Sequence, residues 1–377
     1  MIPATTLAKF HRALPFWASL ALIPLFAFVA WQGSWWLLAV PLSTWYLFAT
    51  LDLVIGLEET NADPNANDAQ LFWYRAVTII WAPLQILTIF GVIHFATHTD
   101  HLNTLELFAL TFGLGVLSGT IGITYSHELM HQRPKSERWL SDILLASVLY
   151  SHFRSEHLLV HHRYVGTGRD PVTARYNEGF HRFFPRVLRE QYASSWKAEK
   201  AMLVRKGLSV WDGSNPFWRY LALQAGFVAL AMLLGGWTGV AIFVGQAFAA
   251  VWQLELTNYV EHYGLTRKHL GQGKYEHVQP RHSWNSAQKA SNWLLINLQR
   301  HSDHHTKPNR RFPLLQNYTE ADAPQLPYGY PVMTAAAMIP PLWKRVMNPR
   351  VKRWRAMYYP EITDWKTYNK LRHPLPR

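Results

Sequence analysis

The chain alternates between long apolar stretches and basic, polar ones. Six apolar runs stand out, at residues 14–31, 35–51, 76–97, 105–125, 220–234 and 238–254. At ~1.5 Å rise per residue, each is long enough as a helix to approach or span a ~30 Å hydrocarbon core. The connections Gly33-Ser34 and Gly235-Gly236-Trp237 are so short that the helices they join must be antiparallel hairpins. Trp17, Trp31, Trp35, Trp36 and Trp237 fall near run ends, where interfacial aromatic anchors belong. The pattern predicts an all-α integral membrane protein with six transmembrane helices and a cytoplasmic, histidine-rich helical cap. It divides the chain into helices 1–4 (1–127), a cytoplasmic segment (128–217), helices 5 and 6 (218–260) and a cytoplasmic C-terminal region (261–377), working as one functional domain.

Charge orients this arrangement. The chain carries 37 Lys and Arg against 24 Asp and Glu, a net charge of +13. With six crossings the outward connections are Gly33-Ser34, the stretch 98–104 and Gly235–Trp237, and none contains Lys or Arg. Basic residues collect on the cytoplasmic side of a bilayer, so both termini are expected there. The same bias explains the net charge without nucleic acid. The first run is long for a cleavable signal and lacks a small-residue cleavage site after it. There is no cysteine, which removes disulfides, thiolate-ligated haem and cysteine-ligated iron–sulfur clusters from this chain.

Nine of the nineteen histidines lie in four short clusters. They are His127-Glu-Leu-Met-His131, Glu156-His157-Leu-Leu-Val-His161-His162, Asn258-Tyr-Val-Glu261-His262 and His301-Ser-Asp-His304-His305. Histidines three or four apart share a helix face, and neutral imidazole is the commonest metal ligand in proteins. Nine exceed what one ion accepts, so the count points to two metals. A structural zinc site needs four ligands, usually with cysteine, and fits poorly. Spacing alone does not choose among iron, zinc and copper. An even number of crossings returns the chain to one membrane face at each cluster, so topology brings all four together.

Three weaker patterns complete the reading. Residues 139–150 form a shorter apolar run interrupted by Asp142, expected as a re-entrant or buried helix. Residues 291–305 read as one amphipathic helix whose inner face ends in His301, His304 and His305. After Pro308 the composition suggests an irregular cytoplasmic tail with short helices. There is no internal repeat or low-complexity tract.

The clusters, in this order and with these neighbours, resemble the integral-membrane alkane 1-monooxygenases. The resemblance is carried by Asn258-Tyr259-Val260-Glu261-His262-Tyr263-Gly264-Leu265, by Leu298-Gln299-Arg300-His301-Ser302-Asp303-His304-His305, and by Tyr275-Glu276-His277 through His282-Ser283-Trp284-Asn285-Ser286. It runs from about Trp45 to the Pro340 region. More distantly, the boxes are similar to those of membrane fatty-acid desaturases. Met130, Gln132 and Val160 depart from the usual residues without removing a histidine.

The resemblance implies a di-iron site with all nine box histidines as ligands: His127, His131, His157, His161, His162, His262, His301, His304 and His305. It implies hydroxylation of the terminal methyl of medium-chain n-alkanes to 1-alkanols, using O2 and electrons from rubredoxin and its NADH-dependent reductase, with no haem or flavin in the chain. Glu128, Glu156, Glu261 and Asp303 flank ligands and are expected to accept imidazole N–H groups, the sharper alternative being that one of them reaches a metal. Trp45 stands where the family keeps a bulky residue lining the substrate channel. Arg133, Lys135, Arg138, Arg310 and Arg311 are expected to steer an acidic donor. His277 and His282 are expected as ordinary surface histidines, the alternative being that either orients a ligand or reaches a metal. The runner-up is a fatty-acid desaturase or related hydrocarbon oxygenase. A metal transporter ranks last, because transporters place ligands inside the spans.

Overall fold

A computed structural model describes residues 4–371, with side chains from Lys9 to Asn369; the two chain ends lie outside that range. Helix dominates, and among the described residues the only sheet is β1 (His269–Gly271) with β2 (Lys274–Tyr275), paired antiparallel. Among the described residues, five helical segments are long and apolar enough to cross a membrane: α1 (Lys9–Gln32), α2 (Ser34–Ile55), α3 (Phe72–His98), α4 (Thr104–Met130) and one running Pro216–His262. The last, α8, is not continuous. Gly235 and Gly236 have non-helical backbone angles, and Gly236 has φ +56°. A Cβ on Gly239 would run into the carbonyl of Ala231, and the rings of Phe227 and Phe243 pack against each other. Contacts eight and sixteen residues apart require the chain to fold back on itself, so both expected runs lie here as two arms of a hairpin.

Between α4 and α8 come α5 (Lys135–Ser147), α6 (153–164) and α7 (Phe180–Arg205). Helix α5 covers most of the run 139–150 and is a buried element: Ser141, Asp142, Leu144 and Leu145 are all inside. The second arm of α8 packs closely on α4 because Gly115 and Gly119 present no side chain. A Cβ at Gly115 would lie 2.5 Å from that of Ala249, and one at Gly119 would lie 2.9 Å from Ala250 Cα. Small residues four apart are what close helix approach in apolar surroundings needs. Gln253 fills the remaining polar demand, donating to Gly115 O at 3.0 Å and accepting from Thr120 Oγ1 at 2.9 Å.

Two expectations change in the C-terminal region. Residues 291–305 do not form one helix. They form α9 (Lys289–Leu294) and α10 (His301–Thr306), separated where Ile296 (φ +44°) and Asn297 (φ +59°) turn left-handed. Non-glycine residues tolerate that region only when the surroundings fix it. Here Asn297 N–H donates to Asn292 O at 2.8 Å and its side chain donates to Phe312 O at 3.0 Å. The tail is also more regular than expected: after α11 (Tyr330–Ala337) comes α12 (Pro340–Tyr358), followed by α13 (Trp365–Leu371). Trp343, Met347, Val351 and Trp354 bury one face of α12, with the Trp343 ring tilted against Tyr259 and edge-on to Tyr263, on either side of His262 at the end of α8. The tail therefore clamps the segment that carries His262.

Candidate metal centre

Four helical elements deliver the nine histidines to one buried place: the end of α4, α6, the end of α8, and α10. His127, His131, His157 and His304 form one group, and His161, His262, His301 and His305 a second, each with ligand atoms within 4.8 Å of one another. The boxes are split between the groups. His157 and His161 share a turn yet part company, as do His304 and its neighbours His301 and His305. In α6 the reason is local backbone: residues His157–His161 are a π-helical turn, with the His162 N–H bonded to His157 O. Widening the turn brings residues five apart together, and Nε2 of His162 lies 3.0 Å from Nε2 of His157. His162 is also 3.1 Å from His304 Nε2, and its ring centroid is 4.7 Å from that of His305. The ninth histidine thus sits between the groups.

The ring nitrogens converge as ligands do. His157 and His131 approach at 3.0 Å, His301 and His262 at 3.2 Å, and His305 and His301 at 3.1 Å, all through Nε2. Two nitrogens bound at right angles, each ~2.0–2.1 Å from one ion, stand about 3 Å apart. Burial, reinforced by neighbouring histidines, holds the imidazoles of His131, His157, His162, His301, His304 and His305 well below their ordinary range. Neutral rings keep the lone pair that a metal requires.

The flanking carboxylates divide. Glu261 Oε2 lies 3.3 Å from His301 Nε2, on the side where the rings converge, and Tyr330 sits beside it. Glu156 is fully buried with neither oxygen hydrogen-bonded. Burial, with Asp170 and Glu255 nearby, raises its carboxyl well above the usual range. Glu128 accepts from Gln132 Nε2 at 3.0 Å, not from an imidazole. Asp303 is turned away altogether: Arg310 Nη1 bonds it at 2.7 and 2.6 Å, and Tyr318 and the Gln316 N–H complete its shell. It anchors α10 rather than a ring.

The carboxylate that does orient a ring is Asp170. Its Oδ2 is 3.0 Å from His161 Nδ1 and accepts from Thr173 Oγ1 at 2.7 Å, while Oδ1 takes the Val172 N–H at 3.0 Å. Asp170 comes from the loop after α6, where helical spacing offers no signal. Glu255 was also unmarked: it is fully buried on α8, receiving Gln191 Nε2 at 3.1 Å and Asn258 Nδ2 at 3.1 Å beside the Tyr150 hydroxyl at 2.9 Å. Two further corrections concern histidines and cations. His277 is exposed, but His282 is fully buried, with Nε2 2.9 Å from the Tyr359 hydroxyl and 3.2 Å from Glu276. Arg133 and Lys135 are exposed, whereas Arg138 is half-buried on the carbonyls of Gln132 and Arg133. Arg310 holds Asp303, and Arg311 is buried between Glu137, at 2.9 Å, and Asp68, at 3.0 Å. Those last two charges are internal struts.

A cavity of about 400 Å³ reaches the histidines. His127, His157, His301 and Glu261 line one part of it, and Trp45, Trp252 and Leu256 another. Trp45 is half-buried, donates to Gln253 Oε1 at 3.3 Å, and meets Phe112 edge-on at 5.8 Å.

Comparison with known proteins agrees with this site. The sequence profile of the fatty acid desaturase family matches residues 103–337, a span holding every one of the nine histidines. Alkane 1-monooxygenase 2 of Alcanivorax borkumensis is 36% identical over 92% of this chain and 92% of its own. Alkane 1-monooxygenase 1 of Pseudomonas aeruginosa is 35% identical over 94% of both chains. The xylene/toluene monooxygenase hydroxylase component of Pseudomonas putida is 28% identical over 78% of this chain and 79% of its own. With its histidine boxes gathered into one buried centre at the ends of apolar helices, the chain belongs to the fatty acid desaturase family and, within it, to the alkane 1-monooxygenases.

Proposed function

We propose that this protein is a di-iron membrane monooxygenase that converts medium-chain n-alkanes to 1-alkanols. The observation that carries the two-metal reading is an imbalance of charge. Glu156, Glu261 and Asp170 are buried among eight buried histidines and the half-buried His162, with no Lys or Arg within ion-pairing distance of any of the three carboxylates among the described residues. A lone buried carboxylate is costly, whereas bound cations reverse the local charge logic. Two divalent ions among neutral imidazoles supply the missing positive charge. His127, His131, His157 and His304 would hold one ion, and His161, His262, His301 and His305 the other. His162 serves the gap between them, Asp170 fixes the His161 ring, and Glu261 is the carboxylate aimed at the metals.

A terminal C–H bond has no acidic proton and no polar handle, so side chains cannot attack it; the iron pair, when bound, supplies the activation of dioxygen. In balance, RCH3, O2, two electrons and two protons give RCH2OH and water. This chain's own residues bind and orient. The cavity takes an apolar chain and excludes water, and Trp45 and Trp252 restrict its width. The family resemblance and the absence of cysteine support rubredoxin, with its NADH-dependent reductase, as the source of electrons. The charge pattern supports six crossings of a bacterial inner membrane, with the centre and both termini on the cytoplasmic side.

The test is purification, an iron count per chain, and conversion of octane with reduced rubredoxin. Two irons and 1-octanol are expected. Unsaturated product without alcohol would move the protein to the desaturases, and one metal or none would remove the di-iron reading.

A further inference from the structure

Helix α7 leaves one face uncovered. Its inner stripe, Phe183, Val187, Gln191, Ser195, Glu199 and Leu203, is buried. The outer stripe runs Arg189, Ala193, Trp196, Lys200 and Val204, three to four residues apart; Trp196 is half-buried and the others are exposed. Past the end of α7 the chain turns through Lys206 and Trp211, both exposed, and enters α8 at Pro216. A row of aromatic rings fixes the depth of this face. Trp196 lies 6.1 Å from Trp211, Trp211 lies 5.9 Å from Trp218, and Phe217 meets Trp196 edge-on at 5.0 Å. Trp218 stands two residues before the apolar run 220–234, at the level where a spanning helix passes the lipid headgroups. The row therefore holds the second half of α7 at that level.

Charge on this face is one-sided. Residues 180–218 hold seven Lys and Arg against three Asp and Glu. None of the three acids answers the outer cations near Trp196: Glu199 points inward and accepts from Ser155 Oγ at 2.6 Å, Asp212 holds its own loop through Ser214, and Glu190 pairs with Arg186 at 3.3 Å and Arg189 at 3.8 Å. Lys197, Lys200, Arg205 and Lys206 are exposed, with no ion-pair partner among the described residues. Cations beside aromatic rings at headgroup depth suit an anionic lipid, whose phosphate meets the cations while the indoles sit among the glycerol and ester groups. A zwitterionic headgroup carries its own cation and leaves these charges unmatched.

We propose that the outer stripe of α7 and the turn to Trp211 seat the headgroups of anionic phospholipid. The inner stripe links the seat to the metal centre. Glu199 accepts from Ser155 of α6, and Gln191 donates to Glu255 at 3.1 Å while accepting from Tyr150 at 2.7 Å. Helix α6 bears His157, His161 and His162, so lipid held on one side of α7 steadies histidines on the other. The seat depends on the membrane arrangement above and not on the reaction.

The experiment places the holoenzyme in nanodiscs of phosphatidylcholine with graded phosphatidylglycerol and follows its thermal midpoint. The midpoint is expected to rise by about 2–4 °C and then saturate. Lys197→Gln combined with Lys200→Gln and Arg205→Gln should keep the parental midpoint in pure phosphatidylcholine and lose the rise. Removing as much charge from exposed positions of α12, with Arg345→Gln, Lys352→Gln and Arg353→Gln, should leave the rise intact. Native mass spectrometry reads binding directly: the parent should leave mixed micelles retaining phosphatidylglycerol over phosphatidylcholine, and the α7 variant should lose that preference. A parent indifferent to phosphatidylglycerol, a rise that survives in the α7 variant, or an equal loss in the α12 variant would overturn the proposal. A surviving lipid response beside a raised KM for reduced rubredoxin would give the stripe to an acidic protein instead.

Discussion

Asp170 Oδ2 stands 3.0 Å from His161 Nδ1, and both side chains are buried. A carboxylate on the outer nitrogen fixes the tautomer and turns the inner nitrogen toward the metal. Asp170→Asn keeps the volume but loses the charge. Iron affinity is expected to fall by about 10–100-fold, measured as iron retained against a graded chelator. Unchanged retention would show that Asp170 only braces its loop, through Val172 and Thr173.

Metal removal should be felt as stability. The buried carboxylates Glu156 and Glu261 have no cations of their own, and Glu261 lies 3.3 Å from His301. Stripping the ions leaves these groups uncompensated, and a ligand that binds only the folded state contributes stability by mass action. The thermal midpoint of the chelated protein is expected to fall by about 5 °C or more and to recover when ferrous iron is added back. A midpoint indifferent to iron would count against a metal centre here.

Trp45 and Gln253 join α2 to the second arm of α8 at 3.3 Å, beside Trp252. Trp45→Ser removes the bulk between these helices and lengthens the space available. The preferred alkane should become longer by several carbons, read from product ratios in a mixed-alkane assay. A chain-length profile matching the parent would remove Trp45 from the channel.

The basic residues separate into two kinds, and variants should separate with them. Arg311 is buried between Glu137 and Asp68, so Arg311→Ala leaves Glu137 with one partner fewer, Arg75 at 2.8 Å. A buried charge left with no partner costs about 3–5 kcal/mol; Arg75 still compensates Glu137, so a smaller but measurable drop in thermal stability is expected. Arg133 and Lys135 are exposed. Reversing both to Glu should raise the KM for reduced rubredoxin and flatten its salt dependence while stability holds. Donor kinetics insensitive to that double reversal would place the docking surface elsewhere.

Much of the centre was legible because ligand spacing and helix period coincide. His127 and His131, or His301 and His305, are one turn apart, and apolar runs of membrane length fix where each turn ends. The partition into two groups was not legible. It depends on a π-helical turn at His157–His161, and no residue preference announces one. The break at Ile296 and Asn297 was hidden for a similar reason: isoleucine disfavours positive φ, and only Asn292 and Phe312, brought close by the fold, hold the turn. Helix α12 had a signal that its basic residues obscured. Trp343, Met347, Val351 and Trp354 recur at helical spacing, and Pro349 sits between them, a residue that helix interiors disfavour.

Acid should loosen the clamp that this tail forms. Burial works against the charge on Glu276, but hydrogen bonds from His282, Tyr359 and the Lys268 N–H hold its carboxyl well below the usual range. Arg281 adds an ion pair at 2.7 Å. A carboxyl whose folded value is depressed contributes stability that is fully present above its unfolded value of 4.5 and disappears as pH falls through the folded one. The thermal midpoint should therefore decline as pH drops below that value. Glu276→Gln should lower the midpoint at neutral pH and flatten the acid slope, because the linkage that carries the slope is gone. An acid slope identical in parent and variant would assign it to other carboxylates.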